Sequence, residues 1–392
     1  MKKTISILGS TGSIGTSLFK IIDKKTKYFK VYLLSANKKY NLICKQIKKY
    51  NPKYFIISDP HVYKKVKIKF KKKNITILNN FDKINVANKT DIVISAIPGL
   101  AGLTPTILAI RFTKKILIAN KESIICGWNL IKKAAYKYKT KIIPVDSEHF
   151  SISKLLQHHK LQDIKKIYIT ASGGPFLNYN VEQLKKITTK DALKHPKWKM
   201  GKKISIDSST LMNKVLELIE AQKLFNIPNN KIDILIHPNS LVHAVIKLKN
   251  GLSKFIYHET SMIIPLANAI FDDNLDIEYF YKPKKKKNNK TIENLIFQEV
   301  NKKTFPIIKL KDRLTEYPST PIIINSSNEI LVEQFLAKKI HFLSIFKIII
   351  TILNNRNYKK YAIRNPKNIN QIKEIDKWAR ALTMEKINKN LC

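Results

Sequence analysis

The stretch Thr4-Ile5-Ser6-Ile7-Leu8-Gly9-Ser10-Thr11-Gly12-Ser13-Ile14-Gly15 decides the fold. Its first five residues alternate like a β-strand, and an amphipathic helix is predicted from the glycine-rich turn to about Asp23. Glycines let the backbone approach a pyrophosphate, whose charge then lies at the helix N-terminus. A strand, a glycine turn and a helix at the start of an α/β chain therefore predict a Rossmann-like nucleotide-binding domain. The alternative is a glycine-rich turn without a ligand.

The segment after the second predicted strand, Lys30–Ser35, indicates which dinucleotide is bound. An NAD site would place an acidic residue there to bind the ribose 2′-hydroxyl. The sequence continues instead with Ala36, Asn37, Lys38 and Lys39, two of which are cations. This composition favours the 2′-phosphate of NADP(H).

Polar residues follow the later strands of the same domain. Strands are predicted at Asp91–Ile97 and Lys115–Ala119, and the second is followed by Asn120-Lys121-Glu122-Ser123. Open α/β sheets bind ligands at the carboxyl ends of their strands. Lys121 is therefore a candidate ligand-binding residue, the alternative being an ordinary surface lysine.

The stretch Val145-Asp146-Ser147-Glu148-His149 follows a short apolar run, Lys141–Pro144, that is predicted as a strand. If the chain stays extended, Asp146 and Glu148 point to the same side. Two adjacent carboxylates repel each other unless a cation lies between them, and Mg²⁺ and Mn²⁺ prefer oxygen ligands. The pair predicts a metal site, and the alternative is a polar strand end that caps the next helix.

Two loops of the central region are candidates for ligand contacts. A strand at Lys165–Thr170 leads into Ser172-Gly173-Gly174, a tight turn with exposed amides that suits a phosphate or simply a change of direction. The loop Lys194–Gly201 carries Trp198 between Pro and Gly hinges. This loop is either anchored in the core by its large side chains or a flap that folds over a ligand and excludes water.

A helix is predicted at Leu211–Phe225, with N-cap candidates in Asp207–Thr210. Asn213, Lys214 and Glu217 lie three and four residues apart and therefore share one helix face. A polar cluster that borders an apolar face near a helix N-terminus predicts an anion and metal site. The alternative is a solvated charged face with one salt bridge.

The last third of the chain predicts supporting structure. Strands at His243–Leu248 and Ser253–Tyr257 flank Asn250-Gly251, a type I′ hairpin signal, so the central domain is expected to be α+β. The lysine-rich segment around 283–290 is interpreted as a solvated linker. Helical spacing dominates from about residue 325. The expected domains are 1–145 for NADPH binding, 146–281 for catalysis with metal, substrate and flap, 282–310 as linker and 311–392 as a C-terminal helical domain.

Composition limits the classes of partner. The net charge is +45, from 73 Lys+Arg against 28 Asp+Glu. The lysines are spread along the whole chain and arginine is scarce, so no specific nucleic-acid partner is expected. Three cysteines without metal-ligand spacing indicate free thiols in a reducing compartment. The most apolar segment, Phe342–Leu353, is too short to span a bilayer. We expect a soluble, cytoplasmic homodimer.

Several longer motifs occur together in one order. They are GSTGSIG (Gly9 to Gly15), ANKES (Ala119 to Ser123), PVDSEH (Pro144 to His149), SGGPF (Ser172 to Phe176), HPKWKMGKKISIDSSTLMNK (His195 to Lys214), IHPNSLVH (Ile236 to His243) and NSSNEILVEQFL (Asn325 to Leu336). Along nearly its whole length the chain resembles the 1-deoxy-D-xylulose 5-phosphate reductoisomerase family. The resemblance implies an α/β protein with a Rossmann-like NADP-binding domain, a central α+β catalytic domain and a helical C-terminal domain.

The resemblance also implies roles for individual residues. The implied ligands of Mg²⁺ or Mn²⁺ are Asp146, Glu148 and Glu217, which with Lys121 form the expected catalytic set. The implied substrate contacts are Lys121, Ser147, Glu148, Ser172, His195, Trp198, Met200, Ser208, Asn213, Lys214 and Glu217. The implied NADPH contacts are Thr11, Gly12, Ser13, Ile14, Ala36, Asn37, Lys38, Asn120, Glu122 and Gly201. The chain departs from the family pattern at Ala36-Asn37-Lys38 and at His258-Glu259-Thr260-Ser261-Met262.

The implied activity is the NADPH-dependent conversion of the sugar phosphate 1-deoxy-D-xylulose 5-phosphate to 2-C-methyl-D-erythritol 4-phosphate, for isoprenoid precursors. A metal-assisted skeletal rearrangement would precede hydride transfer. One alternative is a metal-independent Rossmann dehydrogenase of another phosphorylated metabolite, which would leave the three carboxylates unexplained. The other is a basic nucleic-acid-binding protein, whose binding would disappear at moderate salt.

Overall fold

The computed structural model describes residues 2–84, 90–198, 200–281 and 295–391. The chain forms two compact units. The first comprises Met1–Ser123, Trp128–Phe150 and Ser261–Lys285, and the second Ile124–Gly127, Ser151–Thr260 and Lys286–Cys392. The expected four-part division of the chain stays a prediction. The lysine-rich part of the expected linker, at 282–294, and Cys392 lie outside the described residues.

Strands and helices alternate along the first part of the chain, and helices dominate its end. The strands are β1 (Lys3–Leu8), β2 (Phe29–Ala36), β3 (Tyr54–Ile57), β4 (Thr76–Leu78), β5 (Thr90–Ser95), β6 (Thr113–Ile118), β7 (Lys141–Pro144), β8 (Ile164–Ala171), β9 (Ile232–Ile236), β10 (Val242–Leu248) and β11 (Ser253–Tyr257). The helices are α1 (Ser13–Lys24), α2 (Tyr40–Tyr50), α3 (Pro60–Lys69), α4 (Leu103–Ile110), α5 (Lys121–Tyr138), α6 (Ser147–Leu156), α7 (Val181–Lys185), α8 (Thr189–Ala192), α9 (Lys202–Ser209), α10 (Met212–Phe225), α11 (Ile263–Phe271), α12 (Thr320–Leu336), α13 (Ser344–Leu353), α14 (Tyr358–Ala362) and α15 (Ile369–Leu391).

The first unit is built on a parallel sheet with the order β4-β3-β2-β1-β5-β6-β7. Its central strands β1 and β5 are buried on both faces, as is typical of parallel strands covered by helices on two sides. Ile5 and Ile7 of β1 and Ile92 and Ile94 of β5 belong to one buried cluster, to which α11 contributes Leu266. The order reverses at β1, and ligands bind at such a point in open α/β sheets. The predicted Rossmann-like fold is confirmed.

The second unit contains a four-stranded sheet with the order β11-β10-β8-β9. Strand β10 is antiparallel to β8 and to β11, whereas β8 and β9 are parallel. The predicted hairpin is confirmed, but the prediction that its turn is of type I′ is wrong. Gly251 has φ of 91° and Asn250 does not have a positive φ, whereas a type I′ turn needs both.

The helix predicted at Leu211–Phe225 begins one residue later, and its predicted N-cap is wrong. Asp207, Ser208 and Ser209 belong to the preceding helix α9. Leu211 takes the N-cap position in the left-handed conformation, with φ of 65°. Its side chain is buried, so packing holds a conformation that local sequence disfavours. Thr210 still accepts a hydrogen bond of 3.2 Å from the Met212 amide.

The C-terminal region is helical, as predicted, from α12 to α15. Helix α12 begins at Thr320, five residues before the expected start. Four consecutive polar residues in its middle are fully buried: Asn325, Ser326, Ser327 and Asn328. Among the helices that the structure describes, none has both the length and the apolar character needed to cross a membrane.

Candidate active site

Side-chain contacts fix the glycine turn between β1 and α1. The Ser10 hydroxyl donates to Gln46 at 2.7 Å, and the Gln46 amide donates back to the Ser10 carbonyl at 3.0 Å. Lys39 donates to the Thr11 carbonyl at 3.0 Å. The turn is therefore held in one conformation by residues of the following βα unit.

The glycines of this turn are required by close backbone approach. Gly9 has φ of 88°, and a Cβ there would lie 2.5 Å from the Ala96 carbonyl oxygen. A Cβ on Gly15 would lie 2.6 Å from the Gly9 oxygen. Gly12 is the N-cap of α1 and provides no capping side chain. Ser13 and Ile14 lie in the first turn of α1, and the backbone amides of this turn suit the pyrophosphate of a dinucleotide.

The residues expected to contact the adenosine part of NADPH lie where β2 ends. Ala36 is the last residue of β2 and is buried, whereas Asn37, Lys38 and Lys39 are exposed. Lys39 holds the Thr11 carbonyl, so the two neighbouring lysines have different surroundings. Lys38, unlike Lys39, has no hydrogen bond to the glycine turn among the described contacts.

Asn120 ties two strand ends together. It is the N-cap of α5 and accepts a hydrogen bond of 2.5 Å from the Ser123 amide. Its own amide donates to the carbonyls of Ile97 and Gly99, and Glu122 lies 3.3 Å from the same amide. Asn120 and Glu122 are buried beside the loop that follows β5. This places both expected cofactor residues at the carboxyl edge of the sheet.

The predicted extended arrangement of Asp146 and Glu148 is wrong. Strand β7 ends at Pro144, and α6 begins at Ser147. Asp146 accepts a hydrogen bond of 3.3 Å from the Glu148 amide and so caps α6. The other Asp146 oxygen accepts a hydrogen bond from Lys121, so both oxygens of this carboxylate have partners.

The surroundings of Asp146 and Glu148 are polar and partly buried. Lys121, the first residue of α5, forms an ion pair with Asp146, and the two side chains are 11% and 21% exposed. Ser147 donates a hydrogen bond of 2.6 Å to Glu148. His149 is fully buried, with Nδ1 3.8 Å from Asp146. Carboxylate oxygens of this kind are the donors that Mg²⁺ and Mn²⁺ prefer.

In the second unit, the predicted cluster on α10 is present. Lys214 donates to Glu217 at 2.7 Å, and Asn213 donates to the other Glu217 oxygen. Lys214 is 7% exposed and Glu217 1% exposed. The alternative of a solvated charged face is therefore wrong, because the cluster is buried.

Ser172 and His195 meet in the same unit. Ser172 Oγ lies 3.0 Å from His195 Nε2 and accepts a hydrogen bond of 3.1 Å from the Gly174 amide. His195 Nδ1 accepts hydrogen bonds from the amides of Lys197 and Trp198, at 3.1 and 2.8 Å. An accepting Nδ1 puts the proton of a neutral imidazole on Nε2, which then points at Ser172.

His195 is kept neutral by its surroundings. Burial lowers its pKa to about 4, and the positive charge of Lys214 lowers it in the same direction. A second proton on the ring would also have to sit on Nδ1, which faces two N–H donors. His195 therefore offers a neutral Nε2–H donor at neutral pH.

The Ser172 turn packs directly on the end of α9. Gly174 has φ of 63°, and a Cβ there would lie 2.9 Å from the Ser208 carbonyl oxygen. Ser208 is half-buried. Hydroxyls and amides with a neutral imidazole, near the Lys214 charge, form a cluster suited to a phosphate.

The loop expected to be a flap is irregular on both sides of Lys199, which lies outside the described residues. Trp198 and Met200 are half-buried, and Gly201 is the exposed N-cap of α9. The Trp198 ring stands edge-on to His243, with centroids 6.3 Å apart. The His243 ring stacks on His258 at 3.8 Å. Sequence reasoning gave neither histidine a role, although His258 opens a segment that departs from the family pattern.

A dinucleotide turn on a parallel sheet, followed in the chain by acid, amine and hydroxyl clusters, defines an NADP-dependent oxidoreductase. Three family profiles match the chain. "1-deoxy-D-xylulose 5-phosphate reductoisomerase" matches residues 5–127, its C-terminal domain 142–225, and "DXP reductoisomerase C-terminal domain" 259–382. The chain belongs to the 1-deoxy-D-xylulose 5-phosphate reductoisomerase family.

Individual relatives agree over nearly full length. The reductoisomerase of Pelagibacter ubique is 47% identical over 383 residues, covering 95% of this chain and 97% of its own. That of Wolbachia pipientis from Culex pipiens is 40% identical, covering 100% and 99%. The Zymomonas mobilis enzyme solved with NADPH has a TM-score of 0.86 at 30% identity and covers 99% of both chains. A reductoisomerase solved with NADPH, fosmidomycin and magnesium has a TM-score of 0.86 at 31% identity and covers 98% of both.

Proposed function

We propose that the chain catalyses the NADPH-dependent conversion of 1-deoxy-D-xylulose 5-phosphate to 2-C-methyl-D-erythritol 4-phosphate, a step that supplies isoprenoid precursors. The family and the solved relatives that contain NADPH and magnesium support this activity. The observation in this chain that carries it is the buried Lys214–Glu217 pair on α10, which offers a carboxylate for a metal ion and a cation for a phosphate.

The proposed phosphate contacts are Ser172, His195, Ser208, Asn213 and Lys214. The hydrogen bond between Ser172 and His195 and the packing of Gly174 on Ser208 support a shared anion site. Lys214 adds the positive charge that a phosphate dianion needs. Phosphate binding supplies energy that is remote from the reacting bonds.

The proposed metal ligands are Asp146, Glu148 and Glu217. All three are oxygen donors of the type that Mg²⁺ and Mn²⁺ take. Lys121 forms an ion pair with Asp146, and Lys214 forms one with Glu217, so these two carboxylates each have a positive partner. A bound divalent cation supplies a Lewis acid that polarises the ketone of the substrate.

The proposed NADPH contacts are those at the glycine turn, at the end of β2 and at Asn120, Glu122 and Gly201. NADPH supplies the hydride. The clashes that a Cβ would meet at Gly9 and Gly15 support a turn shaped for close backbone approach. The exposed Lys38 is the proposed partner of the 2′-phosphate, since Lys39 already binds Thr11.

The remaining side chains orient the substrate and exclude water. Lys121 and Ser147 are proposed to contact sugar hydroxyls, with Lys121 also orienting Asp146. Trp198 and Met200 are proposed to cover the substrate when the loop closes. Water exclusion strengthens the electrostatic interactions within the site.

The decisive assay follows NADPH oxidation with 1-deoxy-D-xylulose 5-phosphate, with and without Mn²⁺. We expect turnover that a chelator abolishes and that added Mn²⁺ restores. Turnover that persists in the chelator would instead favour the alternative, a metal-independent dehydrogenase. Absence of turnover at any metal concentration would defeat the proposed activity.

The proposal extends to assembly and location. Within the described sheet, β11 pairs only with β10, so its other edge is proposed to pair with a second chain. Phe255 of β11 and Leu252, which directly precedes the strand, are exposed. A homodimer through this edge should become monomeric in Phe255→Lys, measured by analytical ultracentrifugation; a wild-type monomer would reject it. Cys44 and Cys126 are buried and form no disulfide within the described part of the chain, which supports a reducing cytoplasm.

A further inference from the structure

Asp207 carries a carboxylate that the proposed chemistry does not use, although it directly precedes Ser208. It lies in the last turn of α9 and is only 1% exposed. A carboxylate is expensive to bury unless it is paired and hydrogen-bonded. Its position next to a proposed phosphate ligand therefore needs an explanation.

Two groups satisfy this carboxylate from different parts of the chain. Lys203, one turn earlier on α9, lies 2.8 Å from one oxygen. Asn328 of α12 donates a hydrogen bond of 2.7 Å to the other, across 121 residues of sequence. Asn328 is fully buried, so water does not compete for this contact. The hydrogen bond ties the C-terminal helices to the end of α9.

The end of α9 is also the surface on which the Ser172 turn rests. A Cβ on Gly174 would lie 2.9 Å from the Ser208 carbonyl oxygen, so the turn is in close backbone contact with the end of α9. Leu211 then changes the chain direction into α10, where Lys214 lies. A shift of α9 would therefore move Ser208, the Ser172 turn and Lys214 relative to one another.

We propose that Asp207 and Asn328 are positioning residues for the phosphate site. Their hydrogen bond holds α9 where Ser208 and the Ser172 turn can bind one phosphate together. The inference rests on the proposed phosphate site. It gives the C-terminal helical region a part in substrate binding, through a residue that touches no substrate.

The test compares Asn328→Asp, Asp207→Asn and the double exchange of the two residues. Asn328→Asp opposes two carboxylates, and Asp207→Asn removes the acceptor charge that Lys203 and Asn328 share. The exchange restores one amide and one carboxylate at the same contact. We expect each single variant to raise the KM for substrate by about ten- to a hundredfold, as small misplacements do. The KM for NADPH should stay unchanged, and the exchange should recover most of the loss.

Ser326→Ala is the matched control. Ser326 is buried on the same helix and donates a hydrogen bond of 2.7 Å to Asp376 of α15. Its loss should lower the melting temperature without raising the KM for substrate. If the single variants behave like this control, the contact is only structural and the proposal is overturned. If Asn328→Asp does not fold, Asn328→Ala replaces it under the same criterion.

Inorganic phosphate separates this inference from the proposed function. Its dissociation constant is measured by calorimetry in the absence of substrate. Weaker phosphate binding in the single variants, recovered in the exchange, supports the inference even if the wild type turns over no 1-deoxy-D-xylulose 5-phosphate. Equal phosphate binding in all variants overturns it even if the wild type is fully active.

Discussion

Lys214 donates a hydrogen bond of 2.7 Å to Glu217 one helical turn later, and both side chains are buried. Removing either partner alone would leave an uncompensated charge in a site that water hardly reaches. The pair gives a glutamate that is 1% exposed a positively charged partner inside the protein. Glu217 is also a proposed metal ligand, and this makes it the first residue to test.

Glu217→Gln should lower turnover by about 10²-fold, because even indirect changes at metal sites cost 10–100-fold. The KM for NADPH should be unchanged. Mn²⁺ affinity, measured by electron paramagnetic resonance, should fall in parallel. The matched control is Glu220→Gln, a second buried glutamate of α10, which should keep its Mn²⁺ affinity. Near-normal turnover of Glu217→Gln at saturating Mn²⁺ would show that Glu217 is not a metal ligand.

Lys38→Ala should reduce the preference for NADPH over NADH. A charge-assisted contact to the 2′-phosphate is worth about 1.5–3 kcal/mol, or roughly ten- to a hundredfold in kcat/KM. Lys39→Ala should act differently, because Lys39 holds the glycine turn through the Thr11 carbonyl. Lys39→Ala should weaken the binding of NADPH and of NADH to the same extent. Equal use of NADH and NADPH by the wild type would defeat the expectation outright.

The His195 imidazole should titrate near pH 4 in the free protein, since burial and Lys214 lower its pKa. The unfolded chain takes up this proton near pH 6.5. Acid therefore favours the unfolded state between those values, and the contribution of His195 to stability is lost as pH falls from 6.5 to 4. His195→Gln should flatten this part of the unfolding profile. A His195 NMR titration midpoint at or above 6.5 would contradict the prediction.

Trp198 should report closure of its loop. In a protein with Trp128→Phe and Trp378→Phe, its fluorescence should change when substrate binds, because its edge contact with His243 rearranges. His258→Ala removes the ring stacked on His243 and should alter the signal of the free protein, whereas His258→Phe should restore it. An unchanged signal at saturation, with binding confirmed independently, would indicate a fixed core tryptophan.

Gly174→Ala should raise the KM for substrate, because the new Cβ would lie 2.9 Å from the backbone of Ser208. Gly251→Ala is the matched control. Gly251 also has a positive φ, of 91°, but a Cβ there meets nothing within 4 Å. The control should lose only about 1–2 kcal/mol of stability from the left-handed conformation, with KM unchanged. Equal KM values in the two variants would show that the turn does not need its close contact.

Much of the first unit was predictable because its signals are local. In β1, Ile5, Ile7 and Leu8 are apolar and buried, and Gly9 and Gly15 supply a turn that only glycines allow at close approach. Residues in Lys121 to Ser123 follow a strand end, so the topology rule located them without coordinates. The roles of the individual site residues stay predictions.

The errors arose where helix capping, side-chain packing or strand register overrides the pattern read from the sequence. Asp146 and Glu148 leave the strand because a helix begins at Ser147. Leu211 adopts a left-handed conformation that the neighbouring residues do not predict. Tertiary contacts hold this conformation, because the side chain is buried. Asn250-Gly251 formed the hairpin but not the turn type, which depends on the register of both strands.

By itself, the sequence determined the Rossmann-like sheet, the glycine turn and the kinds of side chain available for metal, phosphate and cofactor, because periodicity and residue chemistry are written in neighbouring positions. Only the tertiary structure decided which of these groups are buried and what they contact. Asn328 reaches Asp207 across 121 residues, and no pattern in either segment points to the other. Such contacts depend on how helices pack against one another, and packing is a property of the folded chain as a whole.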